Sequence, residues 1–462
     1  MKDSASEVPG SFRDPSGFLF FKNKILYRQV NTIYKEDYDH LINSGLYKKL
    51  SESNLLVRHK EANLSFAESE SAYKVLKPEP IAFISYPYEW CFSQLKDAAL
   101  TTLKIQRIAI EYGMSLKDAS AYNIQFQHGK PIFIDTLSFE ILKQGRPWIA
   151  YRQYCQHFLS PLILMSSKDY HFNQLFKQYI DGIPLDLTSK ILPWYTRLIP
   201  GIMIHIHLHA RSQKYYSSKT INIKKKKIGR HAYLGIIDNL ESVTRKIKLQ
   251  LKNSVWSKYY EDTNYSPEAF EHKKKILETF LGEINPDEVW DLGANIGIFS
   301  RTASNKGIRT ISFDIDSIAV EKNYRDCVSR NEKNILPLLL DLTNPSPAIG
   351  WENKERMSLI ERGPTDTVFA LALIHHLAIS NNLPFAKVAA FLYKLCESLV
   401  IEFVPKSDSQ VQRLLATRED IFDRYTQPDF EKEFSIFFTI SEVVKIKDSD
   451  RTLYLMQAKE KN

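Results

Sequence analysis

From Glu288 onward the chain alternates short apolar runs with stretches of helical periodicity. The runs cover 289–292, 310–313, 335–340, 367–373 and 399–403. They are apolar on both faces, as buried parallel strands are, and the segments between them are long enough for helices. Two further runs, 436–445 and 452–457, are separated by only the six residues from Ile446 to Arg451. That gap cannot hold a crossover helix, so the last pair is predicted to be antiparallel. The pattern predicts an α/β domain of five parallel strands closed by an antiparallel hairpin. A plain dinucleotide-binding dehydrogenase would not close this way.

The first half is less regular. A hairpin is predicted over 17–30, turning at Lys22-Asn23-Lys24, and helices over 38–51 and 94–112, the second capped by Gly113. Two short strands, 123–127 and 131–134, flank a His128-Gly129 turn, and 145–215 reads as mostly helical and rich in aromatics. The most apolar stretch of the chain, 191–208, is interrupted by Pro193, Arg197 and Pro200. It is therefore expected to be a buried segment rather than a membrane span. After it the character changes: Lys214, Lys219, the lysine run 224–227 and Arg230 predict a solvated linker or the exposed start of a helix. The alternative is an electrostatic patch for an anionic substrate or a membrane surface. The resulting organisation is an α+β N-terminal domain over 1–215, a basic linker or helical connector over 216–255 and an α/β domain over 256–462.

Composition changes this picture little. A chain of 462 residues with 44% hydrophobic and 12% aromatic residues is long and apolar enough for two or three folded domains. A net charge of +8 permits an anionic partner, nucleic acid included, without demanding one. Cys91, Cys155, Cys327 and Cys396 have no C-x-x-C spacing, which argues against a thiolate zinc site and against a disulfide framework. The first residues, MKDSASEVPGSFRDPSG, contain no apolar core of a secretory signal, so a cytoplasmic location is expected.

The strongest local signal is VWDLGANIGIFS at 289–300, after a predicted strand and before a helix. Gly293 allows a tight turn, Gly297 allows close helix packing, and Asp291 stands where the strand ends. The second strand runs into Asp314 and Asp316, of which Asp314 directly follows the apolar run, and the third runs into Asp341. A carboxylate at the second position can accept both hydroxyls of a ribose. The D-x-G-x-x-x-G form, with three acids after three successive strands, resembles class I S-adenosylmethionine-dependent methyltransferases. That resemblance implies a Rossmann-like seven-stranded methyltransferase sheet. It also implies a cofactor site of Asp291, Gly293, Asn295, Gly297, Asp314 and Asp341, with Asp341 reading the adenine amino group. NAD fits less well, because Asn295 stands where a pyrophosphate-approaching glycine is expected.

The fourth predicted strand leads into ALALIHHLAISNN, which brings His375 and His376 near the expected methyl group. Either could act as a base, or one could pack the strand end while the other faces the pocket. Glu402 is expected at the same mouth. The aromatic segment 256–270, with Tyr259, Tyr260 and Tyr265, resembles the lid over the cofactor in this class, although those rings could equally be core.

The run DLTNPSPAIGWENKERMSLIERGPTDTVFALALIHHL, together with DPSG near the start and HIHLHARSQ, resembles nodulation-protein-type (NoeA-like) bacterial methyltransferases over nearly the whole chain. This implies methyl transfer to an oxygen or nitrogen acceptor. A small molecule, carbohydrate, protein or RNA all stay open as that acceptor, and oligomeric state has no signal here.

In the N-terminal domain, Asp118, Asn123 and Asp135 have a spacing that resembles the catalytic loop and metal-binding Asp of kinase-like phosphotransferases. No His-Arg precedes Asp118, Thr136-Leu137 follows Asp135 in place of Phe-Gly, and Gly10 and Gly17 with Arg28 poorly replace a glycine loop and lysine. A degenerate kinase-like fold and an unrelated α+β domain both fit; an active kinase fits worst. His205, His207 and His209 alternate without a nearby carboxylate or cysteine, so a polar-edged apolar segment is expected and no metal site. The sequence thus predicts a methyltransferase. The alternatives are a non-catalytic ligand-binding scaffold and a bifunctional protein with an N-terminal phosphotransferase.

Overall fold

A computed structural model describes residues 6–143, 145–212, 229–249, 265–416 and 419–460. The chain divides into two compact units, Met1–Gln250 with Ile349–Arg356, and Leu251–Ala348 with Met357–Asn462.

The first unit opens with strands β1 (Ser6–Glu7), β2 (Gly17–Lys22), β3 (Ile25–Asn31), β4 (His59–Ala62) and β5 (Ala72–Pro78). They form an antiparallel sheet in the order β1-β2-β3-β5-β4. The β2–β3 hairpin turns through Asn23 and Lys24, both at positive φ (53° and 61°), which matches the right-handed twist of the flanking strands. Where one helix is expected over 38–51 there are two, Lys35–Asn43 and Leu46–Glu52. Gly45, at φ 84°, breaks them apart. Val30, Tyr34, Tyr38, Leu76 and Leu137 pack into one core under the sheet. The 20-residue helix Phe92–Glu111 ends before Gly113 at φ 73°. It is followed by β6 (Met114–Leu116), the hairpin β7 (Ile124–Gln127) and β8 (Lys130–Phe133), and β9 (Phe139–Ile141), which pairs with β6.

Within the segment expected as a helical connector, Arg230–Lys246 forms a helix that packs on Phe92–Glu111 inside the first unit. Tyr233 Oη there accepts from Gln106 Nε2 at 3.0 Å in a buried contact. The lysine run 224–227 lies outside the described residues. The apolar stretch 191–208 is not wholly buried: it is split into short helical pieces, each with one face in the core and one in solvent. Its histidines are structural. His205 bonds Tyr151 and Asn239 at 2.7 Å each, and His207 bonds Ser189 and Thr196 at 2.7 and 2.9 Å. Among the described residues, no cluster of three or more His, Cys, Asp or Glu could hold a metal. No described helix is long and apolar enough to cross a membrane.

The second unit is mixed α/β. Its strands are β10 (Glu288–Leu292), β11 (Arg309–Asp314), β12 (Ile335–Leu339), β13 (Thr365–Ala370), β14 (Cys396–Phe403), β15 (Phe438–Lys445) and β16 (Thr452–Ala458). The sheet order is β12-β11-β10-β13-β14-β16-β15. The first five strands are parallel, and β16 and β15 pair antiparallel. The five parallel strands are buried almost throughout, β12 at one edge included, whereas β15 at the other edge is mostly exposed and carries Glu442 and Lys445. Helix Pro267–Ile284 starts at Ser266, whose hydroxyl accepts from the Ala269 amide, and ends at Asn285 in the left-handed region. Its Ile276, Leu277, Phe280 and Leu281 pack on Val289, Phe369, Val400 and Leu453 of the sheet. Strand order reverses between β10 and β13, which opens a crevice at their carboxyl ends.

Candidate functional site

That crevice is a cavity of about 300 Å³. Asp291 and Asp314 enter it from the last turns of β10 and β11, and Asp341 from two residues beyond β12. Parallel strands in register deliver all three to one edge. Gly293, Asn295 and His376 also line it, with Tyr265, Lys273 and Phe299 at the side of Asp291.

The loop after β10 folds onto β11: the amides of Gly293 and Ala294 donate to Phe313 O at 2.9 and 2.8 Å. Gly293 (φ 81°) and Gly297 (φ 76°) both occupy the left-handed region. A Cβ on Gly297 would fall 2.5 Å from the Asn323 amide, so this glycine serves close packing and does not line the cavity. Asn295, at φ 52°, donates its amide to Asp314 Oδ2 at 2.7 Å. Asp314 Oδ1 accepts from the Asp316 amide at 2.8 Å. Asp316 itself caps helix Ser317–Arg330 by accepting from the Ile318 and Ala319 amides, and does not line the cavity. Asp341 is half-buried and holds Thr343 through its amide and hydroxyl at 2.8 and 2.6 Å.

Electrostatics separate the acids. Burial pushes the Asp291 carboxyl up to about 7, against a 2.6 Å hydrogen bond from Ser300 and the field of Lys273. Burial also pushes Asp314 up to about 6, although backbone amides donate to it. Two buried carboxyls therefore face a cavity with their charge incompletely compensated.

Beneath the cavity lies an ionic cluster that sequence reasoning missed. Glu402 is fully buried and is not at the mouth, contrary to expectation. It accepts from Lys273 Nζ at 2.6 Å, the Ala372 amide at 2.9 Å, Arg451 Nη1 at 3.4 Å and the Tyr265 hydroxyl. Arg451 reaches on to Asp408 at 2.7 Å. Burial alone would raise the Glu402 carboxyl, but Lys273 and Arg451 outweigh it and hold it low. The bond to Ala372, at φ 48°, turns the chain out of β13, which therefore ends at Ala370 rather than at 373. Lys273 sits in the run HKKK, and Arg451 in a polar hairpin; neither carries a sequence signal of burial.

The two histidines part company. His376 is partly exposed and lines the cavity, while His375 is fully buried outside the lining, with neither ring nitrogen hydrogen-bonded among the described residues. Burial, then Arg451, pulls the His376 imidazole down to about 4. Of the expected lid, Tyr259 and Tyr260 lie outside the described residues. Tyr265 lines the cavity, with the cations of Lys273 and Arg451 at 5.0 and 4.6 Å from its ring centre.

In the first unit, Asp118 and Asp135 lie near enough that Asp135 helps burial raise the Asp118 carboxyl. Asn123 Nδ2 donates to Ser138 Oγ at 3.3 Å. Asp135 Oδ1 takes Arg28 from β3 and the Leu137 amide, and Oδ2 takes Ser138. Lys117, beside Asp118, is tied to Ser16 at 2.7 Å and to Asp14 at 3.5 Å.

No protein-family model matches the chain. It is 34% identical, over 98% of its length, to nodulation protein NoeA of Rhizobium meliloti (strain 1021), of which 96% is covered. Among solved structures it is similar to magnesium protoporphyrin IX methyltransferase from Synechocystis PCC 6803 with bound SAH. That match has 16% identity, 44% of this chain and 93% of the other, and a TM-score of 0.32. A SAM dependent methyltransferase from Aquifex aeolicus matches at 15% identity over 45% of this chain and 100% of the other, with a TM-score of 0.31.

Proposed function

This chain belongs to the family of nodulation protein NoeA, and from that premise we propose that its second unit is an S-adenosylmethionine-dependent methyltransferase on a Rossmann-like seven-stranded sheet. One observation carries the reading: Asp291, Asp314 and Asp341, from three adjacent parallel strands, line a single cavity where strand order reverses. The donor set suits the cofactor. Carboxylates only accept, and the cofactor's ribose, adenine amino group and ammonium only need acceptors there. A Cβ on Gly293 would come within 3.3 Å of Leu373 Cδ1, so glycine keeps this side of the cavity open.

Bound there, S-adenosylmethionine supplies an electrophilic methyl group on its sulfonium. Asp314 would accept the ribose hydroxyls, Asp341 the adenine amino group, and Asp291 the ammonium. Gly293, Asn295 and Gly297 shape the loop beneath them. Phe299, Leu371 and Leu377 give the cavity apolar walls that exclude water. His376 is neutral at physiological pH, and its imidazole can accept a hydrogen bond from an oxygen or nitrogen acceptor and orient it. Its low basicity favours orientation over proton removal. His375, outside the lining, supports His376 through ring contact at 4.1 Å.

Calorimetric titration of S-adenosylhomocysteine tests the reading. Clear binding to the wild type that weakens in Asp314→Ala supports it. No binding by a folded wild type would leave a non-catalytic scaffold as the better reading.

For the first unit, the Arg28–Asp135 pair near Asp118 and Asn123 favours a degenerate kinase-like domain. Arg28, Ser138 and the Leu137 amide already claim Asp135, so its oxygens are poorly available to magnesium. Titration with magnesium and ATP is expected to give no binding. Binding that is lost in Asp135→Ala would instead support a bifunctional phosphotransferase.

A further inference from the structure

The stretch from Leu187 to Ile237 contains ten Lys and Arg and no Asp or Glu. That exceeds the whole chain's net charge of +8, so the remainder of the protein is slightly acidic. The same stretch exposes large apolar side chains at high density. Trp194 and Leu198 are 73% and 72% exposed, and Tyr195, Ile199, Ile204 and Leu208 between 42% and 50%. All lie in the first unit, on or between the consecutive helical pieces Trp194–Leu198, Pro200–Ile202 and Met203–Leu208, which pack on one another.

These side chains are presented by a rigid support. Thr196, Ile202, His205, Ile206 and His207 form its buried side, and the bonds of His205 and His207 described above fix it. Ile204, Leu208 and Arg211 follow at helical spacing on the opposite, exposed side. Arg197 and Arg211 are exposed, and both lie within electrostatic range of the buried His207. Exposed apolar groups flanked by cations, with Trp and Tyr among them, are the composition of a surface that enters the headgroup layer of a bilayer.

We propose that this face of the first unit docks on an anionic lipid bilayer surface. The apolar side chains enter the interface, while the exposed Arg197 and Arg211 meet lipid phosphates. Two weak signals of different kind, apolar insertion and basic attraction, together make a reversible membrane contact that neither makes alone. Nucleic acid fits the charge but not six exposed apolar side chains, since phosphate contacts come from cationic and polar groups. A second copy of this face would bring like charge against like charge.

The test is vesicle flotation of the full chain, with phosphatidylcholine alone and with phosphatidylcholine plus phosphatidylglycerol. Wild type is expected to float with the anionic vesicles only, and less so as salt rises. Trp194→Ser/Leu198→Ser should weaken flotation at least about tenfold, and Arg197→Gln/Arg211→Gln by a similar factor. Both pairs are exposed, so unchanged melting temperatures will certify folding. Equal flotation with neutral vesicles, no flotation of folded wild type, or full flotation of the Trp194/Leu198 variant would each overturn the proposal. So would tight binding of single-stranded RNA that survives the apolar substitutions in a protein that ignores vesicles.

Discussion

Asp291 and Asp314 stand at the ends of β10 and β11 facing a cavity, whereas Asp135, just after β8 in the first unit, is closed off by Arg28, Ser138 and the Leu137 amide. The local sequence is similar in kind: a short apolar strand, then an acid, then a turn. What differs is the opposing charge. Asp135 has a guanidinium of its own, and the chain has used up its binding capacity. Among the described residues, Asp291 has the neutral Ser300 hydroxyl and the field of Lys273, which Glu402 holds at 2.6 Å, and Asp314 takes backbone amides. Burial then raises both carboxyls, and a ligand bearing an ammonium and hydroxyls would relieve that cost. An acid at a strand end is a site only where the fold withholds its partner.

The contrast can be broken first at the cluster beneath the cavity. Glu402→Ala leaves Lys273 buried without its carboxylate and Arg451 with Asp408 alone, and should cost about 3–5 kcal/mol of stability, read from urea unfolding. A loss below about 1 kcal/mol would mean the cluster does not hold the floor. Asp314→Ala should weaken S-adenosylhomocysteine by about 2 kcal/mol, roughly thirtyfold in Kd, without comparable loss of stability.

Asp291 sharpens the contrast through pH. With its carboxyl near 7 in the folded protein, it is half-protonated at neutrality. Only the anion attracts an ammonium, so affinity for S-adenosylhomocysteine should rise about tenfold between about pH 6 and pH 8. Asp291→Asn should flatten that dependence. The stability effect has the opposite sense. The folded state holds this proton above the unfolded carboxyl's range, so the wild type loses stability as pH rises from about 4 to 7, and Asp291→Asn should lose less. The smallest effect belongs to the first unit. Asp135→Ala removes a partly buried ion pair and should cost about 1 kcal/mol of stability while leaving S-adenosylhomocysteine affinity within about twofold. A large change in that affinity would undo the distinction drawn between the two acids.

Much of this was legible in the chain. Strands buried on both faces write continuous apolar runs, and their ends can be read to within a few residues, as at Asp291 and Asp314. The hairpins at Asn23-Lys24 and His128-Gly129 were legible because positive φ restricts residue choice. The end of β13 was not, because a hydrogen bond from Ala372 to Glu402, thirty positions away, decides it. The burial of 191–208 was also misjudged. Composition reports how apolar a segment is, but not how many of its faces the core can accept.

Alternation, glycine placement and acid spacing, all local quantities, were enough to determine the α/β character of the second half and the loop around Gly293. Tertiary structure alone decided which charges go inside. Lys273 and Arg451 look like solvent residues in sequence and are buried because Glu402 and Asp408, remote in the chain, compensate them there. It also decided that His376 meets the cavity and His375 does not, since neighbours on a turn point in different directions and only packing fixes which one faces the open space.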